Sequence, residues 1–290
     1  MDRLTLAAPA KLNLRLLVGP LGADGYHPVR SLIVALPDLA DTVTVERAAE
    51  RSVACEGMDG PANLAWHALD ALERRVGALP PLAVRIVKRI PPQAGLGGGS
   101  SDAAATLVAA DRLLGLGLDA KELETVAAEV GSDVPFFVRG GASWAAGRGE
   151  VLAPAAAPPF AALLARPAGG LATAAVYAAF DRMRPPEPAD DPPAPERARD
   201  LPGWTRNDLW PAALALRPGL GRVARALRAA GARGTLLCGS GSAVAGLFEE
   251  LSDARDAAAR LDPRLVLGMV AFPGSPATGP APRLDRGPAR

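Results

Sequence analysis

Residues 91–104 read Pro-Pro-Gln-Ala-Gly-Leu-Gly-Gly-Gly-Ser-Ser-Asp-Ala-Ala, with four glycines (Gly95, Gly97, Gly98 and Gly99) inside five positions. Glycine admits positive φ and lets other groups come close to the main chain. Free amides in such a loop, followed by a helix N-terminus, form an anion site suited to a phosphate chain. The flanks favour this over a flexible Gly/Ser linker. Upstream, residues 82–88 alternate apolar and basic positions as a half-buried strand does, and Pro91 and Pro92 stop it. Downstream, the alanine-rich run 103–114 is strongly helix-forming. Ser100 or Ser101 is expected to N-cap that helix, Asp102 to lie in its first turn where the macrodipole favours an acid, and Gly115 to end it. The order is therefore strand, glycine loop, helix.

Two common phosphate loops are excluded. A Walker loop needs Gly-Lys-Ser/Thr, but the lysines stand at 11, 88 and 121 and none follows a glycine. The dinucleotide pattern G-x-G-x-x-G begun at Gly95 requires a glycine where Ser100 stands.

The 290 residues, 49% of them hydrophobic, suffice for one large or two medium cores. A net charge of +1 argues against a nucleic-acid surface or a membrane-binding face. Cys55 and Cys238 give no disulfide framework, which suits a reducing cytoplasm. The start has no basic region followed by an apolar one, so no secretory signal is expected, and no apolar run reaches the length of a membrane span.

Patterning predicts a strand over 3–18 broken at Pro9, strands at 29–36 and 42–46, and helices at 63–75 and 119–130. Strands at 143–152 and 160–166 and a short helix at 173–181 follow. The Pro-rich stretch 184–203 reads as an exposed connector that packs no core. A helix at 207–230, strands at 234–238 and 243–248 around a loop at 239–242, a helix at 252–261 and a strand at 265–271 complete an α+β pattern. The tail 273–290 is expected to be disordered. The expected division is an N-terminal domain, 1–155, carrying the phosphate loop, and a C-terminal domain, 156–272.

Four further clusters bear polar groups in unusual settings. Lys11 lies in Ala-Pro-Ala-Lys-Leu-Asn-Leu (8–14), in a chain whose positive charge comes mostly from arginine. It either points at a phosphate or hydroxyl or is a solvated edge-strand lysine. Ala-Asp-Gly-Tyr-His (23–27) is a turn that either presents Tyr26 and His27 to a base or sugar or is ordinary surface. Asp133, in Gly-Ser-Asp-Val-Pro-Phe-Phe (131–137), is a helix N-cap or a general base. Cys-Gly-Ser-Gly-Ser (238–242) is a hairpin turn or a second set of amides for a ligand. Zinc chemistry lacks a His/Cys cluster, and a serine hydrolase lacks a G-x-S-x-G elbow.

Together, the loop at 91–104 and the segments 8–14, 23–27, 131–137, Gly-Arg-Gly-Glu (147–150) and 239–242 resemble, in order, the GHMP kinases (galactokinase, homoserine kinase, mevalonate kinase and relatives). The resemblance runs from about residue 6 to about residue 272, and the turn at 23–27 points to the branch whose substrate is a cytidyl diphosphate of the non-mevalonate isoprenoid route. It implies an α+β, two-domain fold: an N-terminal domain resembling a ribosomal-protein fold and a C-terminal ferredoxin-like domain. It implies ATP as co-substrate with Mg2+, and transfer of the γ-phosphoryl group to the 2-hydroxyl of the small-molecule cytidyl diphosphate substrate. Pro91, Pro92, Gln93, Ala94, Gly95, Leu96, Gly97, Gly98, Gly99, Ser100 and Ser101 would hold the ATP phosphates. Lys11 and Asp133 would flank the reacting hydroxyl, and Asn13 would help to bind the substrate. Tyr26 would stack on cytosine, His27 would hydrogen-bond it, and Thr173 and Tyr177 would add contacts, Tyr177 closing an aromatic sandwich. A cytoplasmic monomer or weak homodimer is expected, with no nucleic-acid or membrane partner. Another GHMP kinase, acting on mevalonate-, homoserine- or sugar-type substrates, and a silent nucleotide-binding protein on the same fold are the alternatives. Departures are the stretch 184–203, the tail 273–290, Cys238 before Gly-Ser-Gly, and the lack of an evident acidic Mg2+ ligand.

Overall fold

A computed structural model of the chain describes residues 2–183 and 192–275. They pack as two compact units interleaved along the chain. The first takes residues up to 10, 39–90 and 97–140; the second takes 11–38, 91–96 and residues from 141 onward. Two long strands, β1 (Arg3–Val18) and β2 (Val29–Arg47), supply residues to both.

In the first unit, β3 (Ser52–Cys55) runs parallel to β4 (Leu82–Val87), and β4 runs antiparallel to β2 from Thr42↔Val87 to Arg47↔Leu82. On β4, Leu82, Val84 and Ile86 are buried while Arg85 and Val87 face out, the alternation that the sequence shows. Helices α1 (Leu64–Val76), α2 (Gly98–Leu114), α3 (Ala120–Val130) and α4 (Val134–Arg139) complete this unit. Its core sets Val43, Val45, Val84 and Ile86 against Leu69, Leu72, Leu107 and Val126. Asn63 caps α1 through the Ala65 amide at 2.9 Å, and Asp119 and Glu122 form a capping box on α3.

In the second unit, β2 pairs antiparallel with β5 (Ala142–Ala146), and β5 pairs with β6 (Val151–Pro154). A second sheet has β7 (Phe160–Ala165) at its centre, buried at every residue. The chain then forms α5 (Thr173–Arg182), α6 (Leu201–Trp204), β8 (Arg206–Asn207), α7 (Trp210–Leu216), α8 (Gly219–Ala229), β9 (Gly234–Leu237), β10 (Val244–Phe248), α9 (Leu251–Ala258) and β11 (Val266–Phe272). The second sheet has the order β11-β7-β10-β9 with antiparallel neighbours. Leu163 and Ala165 on it pack with Val176 and Phe180 of α5, Val223 and Leu227 of α8, and Ala254 and Ala257 of α9. Among the described residues no helix is long and apolar enough to cross a membrane.

Several sequence expectations need correction. Pro9 does not break β1, because β8 pairs with β1 only at Arg15 and Leu16 and no ladder bond is needed at Pro9 on that side. The strands expected at 29–36 and 42–46 are one strand; Pro37 falls between the stretch paired with β5 and the stretch paired with β4. The strand expected at 143–152 divides into β5 and β6 around a turn at 147–150. The helix expected at 207–230 is β8, α7 and α8, with Pro218 at the N-cap of α8. Neither Ser100 nor Ser101 caps α2: Gly97, left-handed at φ 75°, takes that place and the helix starts at Gly98.

The stretch 184–203 is not core-free where it is described. Leu201 is fully buried, and Trp204, directly after the stretch, lies edge-on to Trp144 at 6.1 Å with the Arg15 guanidinium 5.0 Å from its ring centroid. Arg15 also donates to the Trp204 carbonyl, and the Trp204 indole donates to Pro192 O at 3.0 Å. Residues 184–191 lie outside the described residues. Of the tail, Ser275 pairs with Ala157, and 276–290 lie outside the described residues. Trp204→Ala should therefore destabilise the protein by about 3–5 kcal/mol, the range for deleting a buried aromatic. Denaturant unfolding checks this; a loss below about 0.5 kcal/mol, as at exposed sites, would return the stretch to a bare connector.

Candidate active site

The glycine loop divides between the two units. Its first part, 91–96, is held in the second unit through its own backbone carbonyls, including that of Pro92, which accepts from the Arg166 guanidinium at 3.0 Å. Lys11 N donates to Leu96 O at 2.9 Å, Ser242 N to Gln93 O at 3.0 Å, and Ala243 N to Ala94 O at 3.1 Å. Gly95 sits at φ 76°, and a Cβ there would stand 1.8 Å from the Cys238 carbonyl oxygen, so only glycine fits. Gln93 is the one non-glycine with positive φ among the described residues, at 52°. Such strained conformations persist where surrounding bonds fix them, and the Gln93 carbonyl accepts from both the amide and the hydroxyl of Ser242.

The stretch 238–242 is the hairpin turn between β9 and β10, with Cys238 N bonded to Ala243 O at 2.9 Å. The amides of Ser242 and Ala243, after Gly241, hold the first loop. Asn207 fixes the turn from behind, donating to Leu237 O and Gly239 O at 2.9 and 2.7 Å. Cys238 is fully buried, and burial pushes its thiol up to about 12, which makes it an inert packing residue.

The second part of the glycine loop opens α2 in the first unit. Ser101 N–H closes the first intrahelical bond, to Gly97 O at 2.9 Å, so the amides of Gly98, Gly99 and Ser100 precede that bond. Ser101 Oγ is buried with no partner in the protein. Asp102 is drawn to Lys88, at 2.6 Å, and not to the helix amides.

Lys11 is only 5% exposed, which removes the solvated edge-strand reading. Its Nζ donates to Asn13 Oδ1 at 2.6 Å, Asn13 Nδ2 to Ser31 Oγ at 2.8 Å, and Ser31 Oγ to Arg15 O at 2.7 Å. A Cβ on Gly239 would lie 3.1 Å from Lys11 Nζ, so glycine there keeps the ammonium uncovered from that side. The structure thus joins Lys11, Asn13 and the two glycine turns in one unit. Asp133 sits at the N-cap position of α4 with helical backbone angles and makes no capping bond. That removes its capping reading.

Tyr26 is 53% exposed, and the Arg148 guanidinium stands 4.8 Å from its ring centroid. His27 is buried; Nδ1 lies 2.9 Å from Gly19 O and Nε2 lies 2.9 Å from Asp181 Oδ1, the latter outside hydrogen-bond geometry. The His27 ring lies 5.4 Å from that of Tyr177. Thr173 shares a 2.9 Å hydrogen bond with Ser240. Thr173, Tyr177 and Asp181 are spaced i, i+4, i+8 on α5 and lie on one stripe. That spacing is visible in the sequence and would have added Asp181. Ser31, Ser240, Asn207, Lys88 and Asp41 carry no local signal, since partners distant in sequence bring them in.

Residues 63–141 match the family described as GHMP kinases N terminal domain, and residues 198–265 the family described as GHMP kinases C terminal. A protein of Anaeromyxobacter dehalogenans named 4-diphosphocytidyl-2-C-methyl-D-erythritol kinase is 44% identical, over 90% of this chain and 86% of its own length. One of Rhodococcus jostii with the same name is 40% identical over 95% and 92%. A crystal structure of 4-(cytidine 5'-diphospho)-2C-methyl-D-erythritol kinase superposes with a TM-score of 0.76 at 35% identity, covering 92% of this chain and 98% of that one. Homoserine kinase from Cytophaga hutchinsonii, at 17% identity and a TM-score of 0.67, shares the fold.

The contact at Gly95 generates a paired test. Gly95→Ala should weaken nucleotide binding by at least about tenfold, because the loop must leave its seat. Gly140→Ala, at φ 72° but with nothing within 4 Å of its Cβ, should cost about 1–2 kcal/mol of stability and leave binding intact. Calorimetric titration and thermal unfolding of both variants decide; equal binding in the two would contradict the reading.

Proposed function

Because the chain belongs to the 4-diphosphocytidyl-2-C-methyl-D-erythritol kinase family of the GHMP kinases, we propose that it transfers the γ-phosphoryl group of ATP to the 2-hydroxyl of 4-diphosphocytidyl-2-C-methyl-D-erythritol, a step of the non-mevalonate isoprenoid route. The observation that carries the assignment is a glycine loop seated on backbone beside a buried lysine, in a chain that also presents two tyrosines and a histidine suited to a pyrimidine. The two matched family segments fall on either side of residue 155, which supports an N-terminal domain of 1–155 and a C-terminal domain of 156–272.

Phosphoryl transfer depends on positioning and on stabilising charge spread over the phosphoryl oxygens. The amides of Gly98, Gly99 and Ser100 supply fixed dipoles for that charge without reorganisation, and Ser101 supplies a hydroxyl. Mg2+ would enter with the ATP co-substrate and would supply positive charge against its phosphates. Asp133 takes the hydroxyl proton as general base, and Lys11 lowers the cost of forming the alkoxide. Asn13 orients Lys11 and binds substrate. Tyr26 stacks on cytosine with Arg148 behind its ring, and Tyr177 covers the other face. His27 hydrogen-bonds the base, its ring set between Gly19 O and Asp181. Both cysteines are free and buried, which supports a cytoplasmic enzyme; we take it to act as a monomer or weak homodimer.

ATP consumption measured separately with the cytidyl substrate, mevalonate and homoserine tests the assignment. Turnover is expected with the first alone; turnover with another acceptor, or tight ATP binding with none, would overturn it. Asp133→Asn should cut turnover by at least about a hundredfold with ATP affinity kept; near-normal turnover would remove Asp133 from the chemistry. Tyr26→Ala should weaken substrate binding by about 1–3 kcal/mol, seen in KM with turnover held. A fall in turnover at constant KM would contradict the stacking role.

A further inference from the structure

Beneath the first turn of α2 lie two buried carboxylates and one ammonium. The side chains of Asp41 and Asp102 are 0% and 3% exposed, and Lys88 Nζ donates to both, to Asp102 Oδ2 at 2.6 Å. Asp41 is fully engaged as an acceptor: its Oδ2 takes Lys88 and its Oδ1 takes the amides of Arg89 and Ile90. Asp102 accepts from Lys88 alone, and its Oδ1 is buried with no partner. Two carboxylates against one ammonium leave a surplus negative charge in a poorly solvated place, unless one carboxylate is protonated. The free oxygen of Asp102 marks it as the one that takes the proton. The cluster lies directly under the loop, since a Cβ on Gly98 would stand 3.2 Å from Lys88 Nζ.

We propose that Lys88, Asp41 and Asp102 tune the charge of the phosphate site, the proton on Asp102 making the cluster neutral and an anionic phosphate chain welcome. This rests on the reading of the α2 N-terminus as an ATP phosphate site. Asp102 touches no reacting atom and is a positioning residue. The titratable groups that bear on it are Lys88, Asp41 and the buried Cys55 thiol. Burial raises Asp102 to about 7, Lys88 opposing and Asp41 adding to the rise. Burial also works against the Lys88 ammonium, but the two carboxylates outweigh it and hold its pKa above the ordinary value. The sign follows: below about pH 7 the cluster is neutral, and above it a negative charge faces the phosphates. ATP affinity therefore falls as pH rises, and ATP binding at mildly alkaline pH draws a proton onto the protein.

Calorimetric titration of the whole chain with Mg2+–ATP across pH 6 to 8.5, in buffers of different ionisation enthalpy, tests this. Wild type should lose about fivefold in affinity over that range, the order of one screened charge beside the site, and should take up a fraction of a proton at pH 7.5. Asp102→Asn should flatten the profile, abolish the uptake and bind more tightly than wild type at pH 8.5. Parallel profiles and equal uptake in the two would overturn the proposal. If the variant does not fold, absence of proton uptake in wild type overturns it alone. Wild type that binds ATP at no pH would overturn the kinase reading and this one with it.

Discussion

The approach of the Gly95 backbone to the Cys238 carbonyl is the constraint on which the rest depends. No other residue fits at Gly95, because a Cβ would overlap that oxygen. The contact lets three carbonyls of the first loop, on Gln93, Ala94 and Leu96, each accept an amide from β1 or from the hairpin after β9. A loop held in this way is fixed mainly through its own main chain, with the Arg166 guanidinium and the Ser242 hydroxyl adding side-chain bonds to its carbonyls. Rigid positioning of dipoles is what transfer of a charged group demands.

The same hairpin serves a second purpose. Its Gly239 lies against the end of Lys11, and its Ser240 bonds Thr173 at the start of α5. Along α5 the stripe continues through Tyr177 to Asp181, which faces His27. This one short turn thereby links the phosphate loop, the buried lysine and the helix carrying the aromatic ring. The buried Asn207 amide, bonded to the carbonyls of Leu237 at the end of β9 and of Gly239 in the turn, keeps it in place.

Much of this was legible in the sequence, and the failures have physical causes. The order strand, loop, helix around 91–104 follows from local chemistry, since alternation on β4 and alanine content on α2 act over neighbouring residues. Lys11, Asp133, Tyr26 and His27 stood out as polar groups in apolar or turn settings. Their burial and partners depend on chain distant in sequence, so local reading left each with two meanings. Ser100 and Ser101 look like N-caps until Gly97 adopts a left-handed conformation and starts the helix early. Asp102 looks like a dipole partner until Lys88 and Asp41 are brought beneath it. Pro9 looks like a strand breaker, but β1 runs through it and β8 does not reach it; Pro37 falls between the stretches of β2 that pair with β5 and with β4. Trp204 was hidden among prolines, and its burial comes from Trp144 and Arg15.

The central claim is a transfer of phosphate to one particular hydroxyl, and the phosphorus spectrum of the product reads it directly. The 2-carbon of the acceptor carries a methyl group and no hydrogen, so a phosphomonoester there has no three-bond coupling to a proton. After incubation with ATP and the cytidyl substrate, the account predicts one new phosphomonoester resonance that stays a singlet without proton decoupling, with the diphosphate signals retained. A doublet or triplet, marking another hydroxyl, or release of inorganic phosphate alone, would contradict it.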